Sequence, residues 1–175
     1  ASWSWFEDRL AYDNARLAHA LIVGGSALKR PADVALGLEA LAWLGDQCGL
    51  DTGCLRLPGH RGRGRDEPPP GPGDEQPLDA AALVEAELSA LALTGDPEHG
   101  ARARQAFDWF LGRNRLGRPL YDAATGGCRD GLGETDLNAN EGAESTLAFH
   151  RAQLLIEAAA LPAVTRVGGG PGKVA

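Results

Sequence analysis

Asn138-Ala139-Asn140-Glu141-Gly142-Ala143-Glu144-Ser145-Thr146 stands between a Gly-rich charged loop and an apolar run from Leu147 to Leu161. The stretch predicts a helix N-terminus crowded with polar groups. Asn138 or Asn140 can cap the free backbone N–H groups. Glu141 and Glu144 then fall in the first turn, where the positive end of the helix dipole favours carboxylates. They are three apart and share a helix face. The plain structural alternative is a capping box, Asn138 with Glu141 at the third helical position.

Four more helices are expected upstream. Asp13 or Asn14 can cap the first, which runs to about Leu28 with Leu17, Ala20, Leu21 and Leu28 at helical spacing. Ser4 and Glu7 suggest a further capping box over a short turn before it. The second helix starts at the turn around Pro31 and runs to about Gln47, with Gly49 as its stop. The third begins at Glu75-Gln76-Pro77-Leu78-Asp79 and passes through Leu83, Val84, Leu88 and Leu91. Asp96-Pro97 opens the fourth, expected to reach about Arg113, and the fifth runs from near Asn140 toward Pro162. Pro119 to Gly131 reads as a small hairpin with a Gly turn. No stretch reads as a strong strand, so the fold class is all-α.

The connections between these helices alternate short, long, short, long. Short turns make antiparallel neighbours. If the hairpins stack side by side, helices one, three and five begin at one end, together with both long connections. The polar residues gather at the same places: Glu7, Tyr12, Asp13, Asn14 and Arg16; Glu75, Gln76 and Asp79; Arg129, Asp130, Asn138, Asn140, Glu141 and Glu144. With Trp3 and Trp5 nearby, this end is expected to form a functional rim, since binding sites combine aromatic walls with a few placed polar groups.

Length and composition set the bounds. With 175 residues and 43% hydrophobic content, the chain can bury a core of its own. A net charge of −7 and a pI near 5.0 argue against nucleic-acid partners, whose phosphates demand a basic surface. No apolar run reaches the roughly 18 residues of a membrane span. The three cysteines lack metal spacing and read as free thiols of a reducing, cytoplasmic compartment. The Gly, Pro and Arg content of residues 55–74 predicts a disordered loop without a share in the core from Gly59 to Gly73. Residues 1–162 are expected to form the domain and 163–175 a disordered tail. The absence of Met, and the opening Ala1-Ser2-Trp3, suggest a piece of a larger protein.

Four motifs together resemble a family. They are Tyr12-Asp13-Asn14-Ala15-Arg16-Leu17, Glu75-Gln76-Pro77-Leu78-Asp79-Ala80, Gly126-Gly127-Cys128-Arg129-Asp130-Gly131-Leu132 and Asn140-Glu141-Gly142-Ala143-Glu144-Ser145-Thr146-Leu147. In this order they look like bacterial α/α-toroid domains associated with or fused to glycosyltransferases. Those are similar in fold to six-hairpin glycosidases and N-acylglucosamine 2-epimerases. The resemblance implies a partial (α/α)6 toroid, corresponding to its C-terminal half, that acts on or processes a sugar or glycan. The implied partners are a sugar or glycan, and a glycosyltransferase or the missing half of the toroid. The chain departs from the pattern at Glu141, where Gln is expected, and at Ala18, near which a Pro is expected.

Glycoside hydrolysis needs two carboxyl groups, roughly 5–5.5 Å apart for retention or 6.5–9.5 Å for inversion. The candidates are Asp13, Asp130, Glu141 and Glu144. Trp3, Trp5 and Tyr12 are candidate stacking faces. Glu7, Asn14, Arg16, Gln76, Arg129 and Asn140 are candidate partners for hydroxyls. Epimerisation would instead call on groups titrating near neutrality, usually His; His19 and His150 lie within helices, His60 in the long loop and His99 at the far end. No metal-binding or nucleotide-binding motif is present, and no cofactor is implied. Ser145 lacks the strand–turn setting of a nucleophile elbow. The alternative to an enzyme is a non-catalytic module that binds a glycan or packs against a glycosyltransferase; a third possibility is an incomplete gene product without activity.

Overall fold

The computed structural model describes residues 3–69 and 71–160. The tail expected to be disordered, 163–175, lies outside the described residues, as do Ala1, Ser2 and Pro70. Five helices carry the fold: α1 (Ala15–Ala27), α2 (Pro31–Gln47), α3 (Pro77–Thr94), α4 (Pro97–Asp108) and α5 (Ala143–Ala158). A 3-10 turn, Leu50–Thr52, follows α2. The sheet is a two-stranded antiparallel scrap, β1 (Arg9–Leu10) with β2 (Arg63–Gly64). The class is therefore all-α. No described helix is long and apolar enough to cross a membrane.

α3 is the central element. It packs against α1 on one side and against α4 and α5 on the others. Its residues are buried almost without break from Asp79 to Glu87. Ala80, Ala81, Ala82, Ala86 and Ala90 supply the small side chains that let neighbours close in on more than one face. An aromatic cluster ties α4, the loop hairpin and α5 together. Phe149 stacks on Tyr121 at 4.2 Å and on Phe107 at 5.7 Å, while Phe110 meets it edge-on.

Side-chain pairs fix the helix directions. Arg16 of α1 reaches Glu85 of α3, and His19, one turn on, reaches Ser89, one turn on. α1 and α3 thus run parallel. Tyr12, just before α1, bonds Glu144 in the first turn of α5, and Arg151 farther along α5 bonds Glu85. The starts of α1, α3 and α5 therefore share one end, as the loop lengths require.

Several boundaries differ from expectation. α4 ends at Asp108 rather than near Arg113, where Trp109 and Phe110 are buried in the core and the Asn114 side chain ties the Trp109 and Arg118 carbonyls. α5 starts at Ala143, not Asn140, and the Asn138–Glu141 capping box does not form. Asn138 instead accepts from the Asn140 backbone N–H. The Ser4–Glu7 box is likewise replaced: the Trp3 indole N–H donates to the Glu7 carbonyl at 2.8 Å.

The segment expected to be loose, 55–74, lies along the body. Leu55 and Leu57 are buried in the core. Two of its arginines are engaged: Arg63 donates to Gln47 at 2.6 Å, and Arg65 pairs with Asp8 at 2.9 Å. Gly62 has a positive φ, and a β-carbon there would collide with the Leu10 carbonyl. Its lack of a side chain lets the segment close on β1.

Candidate functional site

The candidate residues fall into three groups at the end where α1, α3 and α5 begin. The central group contains Tyr12, Asp13, Arg16 and Glu144. The Tyr12 hydroxyl donates to the Glu144 carboxylate at 3.0 Å. Partial burial, and then this carboxylate, push the phenol up to about 12. Arg16 donates to Asp13 at 3.2 Å and forms a two-pronged pair with buried Glu85. Arg151 reaches Glu85 at 2.8 Å from α5, so one carboxylate of α3 ties down a guanidinium from α1 and another from α5.

Asp13 is the unusual member. It is not glycine, yet its φ is +52°, in the left-handed region. One carboxylate oxygen, Oδ1, is buried without a hydrogen-bond partner. Burial raises its pKa, and Glu85 and Glu144 add to the rise against the pull of Arg16. Asp79, buried in the first turn of α3, accepts the backbone N–H groups of Asp13 and Asn14. It thereby caps α1 from a different helix. Burial raises Asp79 to about 7 despite those bonds.

The second group, Arg129, Asp130, Asn140 and Glu141, staples the loop hairpin to α5. Asp130 accepts from the Gly142 N–H at 2.7 Å, from the Asn140 amide and from Ser145. Its limited burial raises the pKa, but these bonds outweigh that and hold the carboxyl below the usual range. Glu141 accepts from the Thr125 hydroxyl at 2.8 Å and pairs with Arg129 at 3.2 Å. Arg129 also donates to Asp122 and to the Ala139 carbonyl. These four are occupied with framework. Asp130 fills the capping role that the sequence assigned to Asn138 or Asn140.

The third group is aromatic. Trp5 is buried and stacked on Trp43 of α2 at 5.9 Å, so it offers no open face. Trp3 packs edge-on against Trp43 at 5.0 Å with the Arg63 guanidinium over its ring. Glu7 is exposed, and its backbone carbonyl serves Trp3. Asn14 is buried and accepts from the Ala11 N–H, leaving its own Nδ2 buried and unpartnered. Gln76 stands apart, lining a cavity of about 350 Å³ with Asp130, Asn138, His60 and Asp74.

Glu85 and Arg151 stand outside the residues that the sequence marks as candidates, and Asp79 is placed on the expected rim without a role of its own. Glu85 carried the available signal: a carboxylate at a position where α3 is otherwise apolar has to find cations. His19 is bonded to Ser89, and burial lowers its pKa; His150 donates its Nε2–H to the Gly126 carbonyl at 2.9 Å. Among the described residues no group of three or more His, Cys, Asp or Glu is placed to hold a metal ion. No protein-family model matches the chain, and no curated protein matches it in sequence.

Proposed function

We propose that the chain is a carbohydrate-active α/α-toroid domain that acts on a sugar or glycan in a cytoplasmic, glycosyltransferase-linked process. One observation carries this reading. Parallel α1, α3 and α5 deliver Asp13 and Glu144 to one end, joined through Tyr12 and unburdened by the framework bonds that occupy Asp130 and Glu141. Parallel inner helices backed by antiparallel α2 and α4 are also what a segment of an α/α toroid would contain.

The chemistry follows from the environments. Asp13 keeps its proton more readily than an ordinary aspartate and has an unpartnered oxygen. It serves as the acid that protonates a departing glycosidic oxygen. Glu144 is exposed at the helix start and receives the Tyr12 hydroxyl. It serves as the ionised partner, either attacking the anomeric carbon or activating water. Screening purified protein against glycosides and sugar nucleotides tests this. Turnover abolished by both Asp13→Asn and Glu144→Gln, with folding intact, is the expected result. Absence of turnover across the screen would remove the catalytic reading.

A second reading is a non-catalytic module that packs against a glycosyltransferase or a complementary half-toroid. The observation favouring it is the exposure of Leu147 and Leu154, seven apart on α5 and 69% and 66% accessible. Co-sedimentation with a glycosyltransferase, lost on Leu147→Lys and Leu154→Lys, together with an absence of turnover, would select it.

A further inference from the structure

A separate cavity of about 440 Å³ lies at the end of α2. Its floor is apolar: Leu10, Cys48 and Leu57 are all buried in the core. Its wall carries Asp46 from the last turn of α2 and Arg56 from the segment that follows the 3-10 turn. Neither charged side chain has a partner among the described residues, and they are not paired with each other. The other arginine of the lining, Arg63, is already held by Gln47 and by the Trp3 ring. The volume falls within the range of small-molecule sites, roughly 300–1,000 Å³.

A purely anionic ligand would leave Asp46 unpaired, and a purely cationic one would leave Arg56 unpaired. A neutral apolar ligand would leave both charges unused. We propose that this cavity binds a small zwitterion with an apolar side chain, of the α-amino-acid class. Its carboxylate pairs with Arg56, its ammonium with Asp46, and its side chain rests on Leu10 and Leu57. This site stands independently of the carboxylates at the starts of α1 and α5.

L-phenylalanine is the first probe, followed by amide NMR on the full chain. Saturable shifts centred on Gly49, Thr52 and Cys54 are expected. Three analogues dissect the recognition: phenethylamine lacks the carboxylate, 3-phenylpropionate lacks the ammonium, and glycine lacks the side chain. Each is expected to bind at least about tenfold more weakly, one lost charge pair or apolar contact being the difference. Arg56→Gln and Asp46→Asn, both at exposed positions, should each weaken phenylalanine by about fivefold or more without moving the melting temperature. Absence of saturable shifts with millimolar phenylalanine or leucine overturns the proposal. So does equal binding of 3-phenylpropionate, which would mark a simple anion site, or unchanged affinity in both variants.

Discussion

Two helix starts at the same end of this protein are capped in the same way and end with opposite acidities. Asp79 of α3 caps α1 through the Asp13 and Asn14 N–H groups, and Asp130 of the hairpin loop caps α5 through Gly142 and Ser145. Both are carboxylates borrowed from another element. Asp79 is only 5% exposed and is raised to about 7; Asp130 is half-exposed and is lowered. Asp130 has three donors to the two of Asp79, but burial separates them more: the donors offset the cost of a carboxylate that still sees water, and fall short for one that does not. The buried cap is also the one beside a left-handed aspartate.

The largest effect expected from breaking this comparison is at Asp79. Asp79→Ala leaves two backbone N–H groups without an acceptor in a buried setting and should cost about 3 kcal/mol at pH 5. Denaturant unfolding measures it. A loss no larger than that of Asp130→Ala would mean that burial does not distinguish the caps.

Next comes pH. Asp79 titrates near its ordinary value when unfolded and near 7 when folded, so the native state holds the extra proton between those limits. Its contribution is fully present below about pH 4 and is lost as pH rises through 7, a fall of about 2 kcal/mol between pH 5 and 7. Glu87 and His99, a buried pair 2.6 Å apart, are both raised and push in the same direction. Asp130, being lowered, contributes stability above its unfolded value and loses it only in stronger acid. Melting temperature against pH should therefore decline from pH 5 to 7, and Asp79→Asn should flatten part of that decline. A wild-type profile rising over this range would refute the assignment.

The exposed cap yields the smaller losses. Asp130→Ala should cost about 1 kcal/mol, in the range of an ordinary N-cap, and speed hydrogen exchange in the first turn of α5. Gly142→Ala reaches the same cap from the other side. A β-carbon there would sit 2.7 Å from the Asp130 carboxylate and force it off the helix start. Similar exchange rates in the two variants would tie both effects to one bond; normal exchange in Gly142→Ala would show that the carboxylate can yield.

The all-α class and the common end of α1, α3 and α5 were legible in the sequence because turn length alone sets antiparallel neighbours, and Pro31, Pro77 and Pro97 mark helix starts. The identity of the caps was not. Local rules look for a cap a residue or two from the helix, and Asp79 and Asp130 come from 66 and 12 positions away in sequence, counting from Asp13 and to Gly142. Trp5 misled for a related reason. An indole near carboxylates reads as a binding face until Trp43, far along the chain, is seen to cover it. The Gly, Pro and Arg content of 55–74 suggested a disordered loop and gave no sign of the anchoring of Leu55 and Leu57, which a composition average conceals.

The smallest effect on stability should come from Tyr12→Phe, and it tests the site rather than the fold. Tyr12 is 49% exposed, so losing its bond to Glu144 should cost under about 0.5 kcal/mol. The Glu144 carboxylate loses its hydroxyl donor, however. If Glu144 works with Asp13, turnover should fall in Tyr12→Phe while the melting curve stays in place. Asp130→Asn offers the control, because its carboxylate belongs to the framework: it should move the melting curve and leave turnover unchanged. The opposite pattern would place the chemistry at the hairpin loop and leave the Tyr12–Glu144 pair as a surface clasp between α1 and α5.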